Sequence, residues 1–176
     1  MMSMKSEGKP VSFVEDCAVN LENLAEYTDG LTKIFKKHNV HGTWYAHASV
    51  GCLHVRPVLN MKINQDVKKM RMIAEESCIL VKKFRGSFSG EHGDGIVRSE
   101  FIEKMFDKKV NNIFRQAKDL FDPNRIFNPE KIIDAPKMDD RNLFRYSPAY
   151  SAIDIKTVMD WSSWSGKSNG FQGAIE

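Results

Sequence analysis

The sequence predicts an α+β fold, in which an antiparallel sheet carries helices packed on one face. Segments typical of strands and of helices alternate along the 176 residues, which indicates a mixed class. The gap between two neighbouring predicted strands, near residues 48–52, is too short for the crossover that joins parallel strands. A chain of this length, with 41% hydrophobic and 28% charged residues, can bury one core.

Residues 11–59 contain three predicted strands and one helix. β-Branched and aromatic residues favour the strands, whereas leucine and isoleucine at helical spacing favour an amphipathic helix. Asn20 has a side chain preferred at a helix N-cap. The resulting elements are a strand at 11–19, a helix at about 21–38, and strands at 42–48 and 52–59 on either side of a break.

Residues 64–121 are predicted to be mainly helical. Asn64 is predicted to cap a helix with an apolar face, and a short strand at 79–84 follows it. A long helical stretch then covers about 99–121, with Asp107 expected to interrupt it or to cap its second half. Asp122-Pro123-Asn124 is a strong stop and turn.

Charge and cysteine content exclude several classes of protein. The net charge of +3 is too small to indicate nucleic-acid binding. No run of roughly 18 apolar residues predicts a membrane span, and the first ten residues lack the apolar core of a signal peptide. Cys17, Cys52 and Cys78 show no paired metal spacing, which is typical of reduced thiols. We expect a cytoplasmic location, with a peripheral position at the inner membrane as the alternative.

The most informative motif is Gly90-Glu91-His92-Gly93-Asp94-Gly95, which places a carboxylate and an imidazole between glycines. Together with His47 and His54, Glu91 could form a three-ligand set for Zn²⁺ or a similar divalent ion, with one position open for substrate. His47 and His54 are seven residues apart and would face opposite sides of one strand, so a turn or bulge at 49–51 is required.

The residues alone leave other interpretations of this motif open. The histidines could be hydrogen-bonded within a core, or the glycines could form a phosphate-binding loop, although the usual Lys-Ser/Thr ending is missing. Because Glu91 and His92 are adjacent, their side chains should diverge, which suits one metal ligand and one group facing the reacting atom.

Three blocks in order resemble the C-terminal domain of FAD-linked oxidases. They are the His47/His54 segment, Gly90–Gly95 and the block Phe121-Asp122-Pro123-Asn124-Arg125-Ile126-Phe127-Asn128-Pro129-Glu130-Lys131. These flavoproteins, of the vanillyl-alcohol oxidase type, include D-lactate, D-2-hydroxyglutarate and glycolate dehydrogenases. The resemblance covers about residues 11–135, and Val14-Glu15-Asp16 is similar to the opening of the domain. It implies a ferredoxin-like substrate or cap domain.

The resemblance also implies roles for individual residues. The implied roles are metal ligands His47, His54 and Glu91 for Zn or Mn, general base His92, substrate-binding Arg56 and flavin-contacting Asn128. For Arg56 the alternative is a surface salt bridge, and for Asn128 it is a plain turn residue. Relatives carry polar Asp and Asn between the two histidines, where this chain has Val50 and Cys52, and this difference bears on metal identity and substrate choice.

The domain organisation predicted from the sequence has three parts. Residues 1–10 are expected to be disordered or to be the start of an excised segment, and 11–135 to form the FAD-linked oxidase C-terminal domain. Residues 136–176 resemble the linker that precedes the iron–sulfur domain in large flavin and iron–sulfur dehydrogenases. Trp161 and Trp164 in this tail either lie in a mobile extension or anchor a following domain.

The implied function is that of a fragment of an FAD-dependent oxidoreductase. The full-length protein would oxidise a D-2-hydroxy acid, of D-lactate or D-2-hydroxyglutarate type, to the 2-oxo acid with hydride transfer to FAD. FAD would be bound mainly by a missing domain, the iron–sulfur cluster would lie in a missing downstream domain, and the isolated fragment would be inactive. The alternatives are a non-catalytic docking module between flavin and electron-transfer domains, and a structural metal domain with a closed four-ligand site.

Overall fold

A computed structural model describes residue 4, residues 6–147, residue 150, residues 157–161 and residue 163. Trp164, one of the two tryptophans expected either in a mobile extension or as anchors of a following domain, lies outside these residues. The strands are β1 (Lys9–Pro10), β2 (Cys17–Ala18), β3 (Gly42–His47) and β4 (Cys52–Leu59). The α-helices are α1 (Leu24–Lys37), α2 (Asn64–Lys83), α3 (Gly95–Arg98) and α4 (Ile102–Phe121), and short 3₁₀ turns cover Leu21–Asn23, Ala48–Val50, Ser99–Phe101 and Arg141–Leu143.

The predicted antiparallel sheet with helices packed alongside is confirmed. β4 is the central strand and pairs with β3 from Gly42↔Pro57 to His47↔Cys52. β1 and β2 pair with opposite ends of β4, also antiparallel. α1 packs against α2, and α2 contacts both β4 and α4. The core is formed by buried apolar side chains of α1, α2 and β4, among them Tyr27, Leu31, Phe35, Val55, Leu59, Met70, Ile73 and Val81.

One predicted strand is wrong and another is correct only at its end. The segment predicted as a strand at 79–84 is the last turn of α2 and the residue after it. Its burial repeats with a helical period, since Cys78 and Val81 are buried whereas Ile79 is 69% exposed. Of the strand predicted at 11–19, only Cys17 and Ala18 pair as β2, because the chain turns before them.

The helix predicted at 99–121 contains the interruption expected at Asp107. This residue has φ 76° and ψ 170°, far from helical values. Its Oδ1 accepts a hydrogen bond of 3.0 Å from the Val110 N–H, so the side chain caps the second half of α4. Both parts of the prediction at this residue are therefore confirmed.

Order extends beyond both predicted limits of the domain. Lys9–Pro10 pair with β4, upstream of residue 11. Beyond residue 135, Met138 is buried, Phe144 packs against the core, and Arg141 donates to the Met61 carbonyl oxygen at 2.9 Å.

Among the described residues, none of the helices is both long enough and apolar enough to cross a membrane. Cys17, Cys52 and Cys78 are buried free thiols, and burial raises the pKa of Cys17 to about 12.

Candidate metal and substrate site

The β3–β4 hairpin brings His47 and His54 to one face of the sheet. Tyr45 lies opposite His54 and His47 lies opposite Cys52, so the two histidines are diagonal neighbours on paired strands. The chain reverses through the 3₁₀ turn at Ala48–Val50, as their odd separation requires. The imidazole rings meet edge to face, with centroids 5.0 Å apart.

Gly51 makes this reversal possible. It has φ 70° and ψ 18°, a left-handed conformation that favours glycine. A Cβ atom added at this position would lie 1.9 Å from the Val19 carbonyl oxygen, which is too close for any side chain. The Gly51 carbonyl in turn accepts a hydrogen bond of 3.0 Å from Val19 N–H, so the turn is fixed against the segment that follows β2.

Glu91 completes the cluster from the glycine-rich loop. Its Oε1 lies 2.7 Å from His54 Nε2 and 3.7 Å from His47 Nε2. One potential ligand atom from each of the three residues falls within 4.8 Å of the other two. The structure thus brings together the three side chains that the sequence predicted as a ligand set.

The cluster has the donor set of a divalent metal site. His54 is 2% exposed, and although its Nε2 is close to Glu91, neither ring nitrogen makes a correctly directed hydrogen bond to a described residue. The 2.7 Å contact between His54 Nε2 and Glu91 Oε1 is a close approach that lacks the direction of a hydrogen bond. A buried imidazole whose ring nitrogens lack hydrogen-bond partners, next to a carboxylate, is typical of side chains that converge on a cation. Two His and one Glu suit Zn²⁺.

His92 lies beside this cluster and contacts two carboxylates. Its ring stacks on that of His54 at 5.0 Å between centroids. His92 Nε2 is 3.2 Å from Glu91 Oε1, and His92 Nδ1 is 3.3 Å from Glu15 Oε1. Its side chain is 43% exposed, so the ring can reach a bound molecule.

A buried ion pair, missed by the sequence analysis, holds the loop that carries Glu91 and His92. Asp16 Oδ2 accepts hydrogen bonds from the backbone N–H groups of Glu91 (2.9 Å) and His92 (2.7 Å). Its Oδ1 accepts from Arg98, whose guanidinium also donates to the carbonyl oxygens of Glu15 and Gly93. Burial alone would raise the pKa of Asp16, but the hydrogen bonds from Arg98, His92 and Glu91 lower it below its ordinary value.

Arg56 lies on the same face of the hairpin, but its guanidinium is partly engaged. Its Nε donates to Glu15 Oε2 at 2.5 Å, and its Cζ lies 5.8 Å from the centre of the Tyr45 ring. Burial alone would raise the pKa of Glu15, but the hydrogen bond and charge of Arg56 lower it below its ordinary value. Arg56 is therefore near the cluster and paired with an anion inside the protein.

Asn128 is part of a separate cleft. This cleft has a volume of about 730 Å³, and its walls include Asn128, Lys131 and aromatic side chains of Phe114, Phe121 and Phe127. Gly93 and Gly95 also line it, so it adjoins the loop directly after His92. The structure thus places Asn128 outside the cluster of His47, His54 and Glu91, on a surface that begins where the loop ends.

Comparison with known sequences assigns the family. A family model described as FAD linked oxidases, C-terminal domain, matches residues 1–132. The chain belongs to this family. The FAD-linked oxidase C-terminal domain thus covers β1 to α4 and the cluster on the β3–β4 hairpin.

Relatives of this FAD-linked oxidase C-terminal domain are named as hydroxy-acid dehydrogenases. It is 41% identical to D-2-hydroxyglutarate dehydrogenase of Haemophilus influenzae over 128 residues, which are 73% of this chain and 12% of that protein. With the Escherichia coli enzyme of the same name, identity is 34% over 139 residues, 76% of this chain and 14% of that protein. With D-lactate dehydrogenase of Archaeoglobus fulgidus it is 30% over 125 residues, covering 71% and 27% respectively. The chain thus spans about an eighth of the length of the D-2-hydroxyglutarate dehydrogenases that it matches.

Proposed function

We propose that this domain supplies the substrate-binding and proton-transfer groups of an FAD-dependent oxidoreductase that converts a D-2-hydroxy acid to the 2-oxo acid. The observation that supports this best is the convergence of His47, His54 and Glu91 on one point, with His92 beside them. Two imidazoles and a carboxylate leave an open position on a metal, and an adjacent imidazole suits a general base.

The metal ligands in this proposal are His47, His54 and Glu91, and the ion is Zn²⁺ or Mn²⁺. Bound there, it supplies a Lewis acid for the carboxylate and hydroxyl oxygens of the substrate. A closed structural site would need a fourth protein ligand, and within the described residues the cluster has three. The open arrangement therefore favours the catalytic over the structural interpretation.

His92 is the general base in this proposal. Its Nε2 takes the proton of the substrate hydroxyl, while the hydrogen on the α-carbon leaves with its electron pair and the carbon–oxygen double bond forms. FAD supplies the acceptor for that hydride. Arg56 holds a substrate carboxylate through the guanidinium nitrogens that Glu15 does not engage.

The remaining parts of the catalytic unit are proposed to lie elsewhere in a longer polypeptide. The cleft that contains Asn128 and Lys131 suits an aromatic ring system presented by a flavin-binding domain, because phenylalanines line it. Exposed apolar side chains on α4 and the segment after it support such a docked domain; these are Ile113, Leu120, Phe121, Ile126 and Phe127. An iron–sulfur domain after residue 176 is proposed from the resemblance of the tail alone.

A substrate screen tests the function. The full-length polypeptide, mixed anaerobically with D-2-hydroxy acids, is expected to lose its oxidised flavin absorbance, whereas L-enantiomers should leave it unchanged. D-Lactate and D-2-hydroxyglutarate are the first pair to compare, since Arg56 would favour the acid with a second carboxylate. Flavin that stays oxidised with every hydroxy acid would leave the docking-module alternative as the better explanation.

Removal of a predicted ligand tests the metal. Glu91→Gln in the full-length polypeptide should lower metal affinity by more than the roughly 10–100-fold lost when an outer-shell partner is changed. Metal content after dialysis, measured by plasma mass spectrometry, checks this. Glu22→Gln, at an exposed position, is the matched control and should keep the full metal content. Equal metal content in both variants would argue against Glu91 as a ligand.

A further inference from the structure

Glu15 lies between Arg56 and His92, and the proposed function gives it no role. Its Oε2 accepts a hydrogen bond of 2.5 Å from Arg56, and its Oε1 lies 3.3 Å from His92 Nδ1. The side chain is 12% exposed. Its backbone carbonyl accepts a hydrogen bond of 2.6 Å from Arg98, so two arginines fix both ends of this residue.

We propose that Glu15 is the positioning residue for His92, accepting the Nδ1–H so that Nε2 faces the substrate hydroxyl. This inference rests on the proposed function, because it presupposes that His92 is the general base. A carboxylate behind the imidazole fixes both the orientation of the ring and the nitrogen that carries the proton. It also stabilises the positive charge that the ring gains when it takes the substrate proton.

The surroundings of the two carboxylates favour Glu15 over Glu91 for this role. Glu91 Oε1 lies close to three imidazole nitrogens, of His47, His54 and His92, which suits a shared ligand. Within the described part of the chain, Glu15 contacts one imidazole, and its other oxygen is held by Arg56. The 3.3 Å contact is an ion-pair contact without hydrogen-bond geometry, and catalytic hydrogen bonds are often long or poorly aligned until substrate binds.

Glu15 also determines the charge next to His92. Arg56 would otherwise place an unpaired guanidinium near a ring that must become positive during the reaction. The pairing therefore lets the hairpin present an arginine for a substrate carboxylate while the glycine-rich loop, on the other side of Glu15, presents a base that can accept a proton. Loss of the Glu15 charge should thus affect the reaction step more than substrate binding.

The test is Glu15→Gln in the full-length polypeptide, with Glu76→Gln as the control. Glu76 is also held by a lysine and a histidine, with Lys37 Nζ at 2.9 Å and His38 Nε2 at 2.8 Å, but it lies on α2. Glu15→Gln should lower kcat on the order of 10²-fold with little change in KM, because positioning acts in the transition state. FAD content, metal content and affinity for the 2-oxo acid product should stay at wild-type levels, as should every property of the control. Glu15→Asp, which keeps the charge, should recover part of kcat.

Combination with His92→Ala separates positioning from other effects. If Glu15 acts through His92, Glu15→Gln should cost little further rate in the His92→Ala background, since the two side chains work as a unit. An equal loss in both backgrounds, a wild-type kcat, a rise in KM alone or a loss of bound FAD or metal would each overturn the proposal. If instead the wild-type polypeptide oxidises no hydroxy acid, or His92→Ala retains full turnover, the proposed function fails first and this inference with it.

Discussion

Replacement of His92 by alanine in the full-length polypeptide is expected to lower kcat by about 10²–10⁴-fold, the usual contribution of a general base. The side chain is 43% exposed and stacks on His54, so its loss removes little buried surface. The ligand cluster keeps all three of its own side chains. Bound FAD and metal should therefore remain, and single-turnover flavin reduction by a D-2-hydroxy acid measures the effect directly.

His41→Ala is the matched control for this result. His41 is exposed, and its backbone carbonyl oxygen accepts a hydrogen bond from Val58 N–H. The substitution leaves this hydrogen bond intact because it changes only the side chain. Its kcat should equal that of the wild type. A His92→Ala variant that reduces flavin at the wild-type rate would show that another group removes the substrate proton.

Loss of the buried Asp16–Arg98 pair should have the largest effect on stability. The two side chains are 0% and 7% exposed, and Asp16 also accepts from the backbone of the loop at residues 91–92. Asp16→Asn leaves the guanidinium buried without its anion, which typically costs about 3–5 kcal/mol. Urea unfolding of the 176-residue chain measures this loss: the urea concentration at the unfolding midpoint should fall below that of the wild type, while the dependence of the unfolding free energy on urea stays the same.

An exposed ion pair provides the control for the buried one. Asp29 pairs with Lys33 along α1, with 61% and 74% of the side chains exposed, and Asp29→Asn should lower the free energy of unfolding far less than Asp16→Asn does, because water screens the pair. The double variant Asp16→Asn with Arg98→Met should be less destabilised than the sum of the two single variants, because it leaves no unpaired buried charge. Additive losses would mean that the two residues stabilise the fold independently.

Much of the fold could be predicted because most elements carry a clear local pattern. α1 was predicted from its leucine spacing, and the β3–β4 hairpin from two strand-like runs around a short break. The end of α2 could not be assigned, because Ile79, Leu80 and Val81 form a continuous apolar run that fits a strand or a helix. The turns before β2 were missed because the apolar residues at 11–14 pack into the core without pairing as a strand.

The residues of the candidate site could be predicted from the sequence, but the residues that hold its loop in place could not. His47, His54, Glu91 and His92 belong to two short motifs that are visible in the sequence. Asp16 contacts Glu91 and His92 across 75 and 76 positions, a separation at which no sequence spacing indicates contact. The available signal was Val14-Glu15-Asp16 itself: carboxylates next to an apolar run need partners if they are buried.

The number of residues in the β3–β4 turn has a consequence for how this domain can vary. Deletion or insertion of one residue between His47 and Cys52 would shift the pairing by one position and send one of the two imidazoles to the opposite side of the sheet. The chemical nature of Ala48, Ser49 and Val50 has no such effect, since all three are exposed. The turn can therefore change in composition at these three positions, with Gly51 retained, while its length stays fixed by the two strands that it joins.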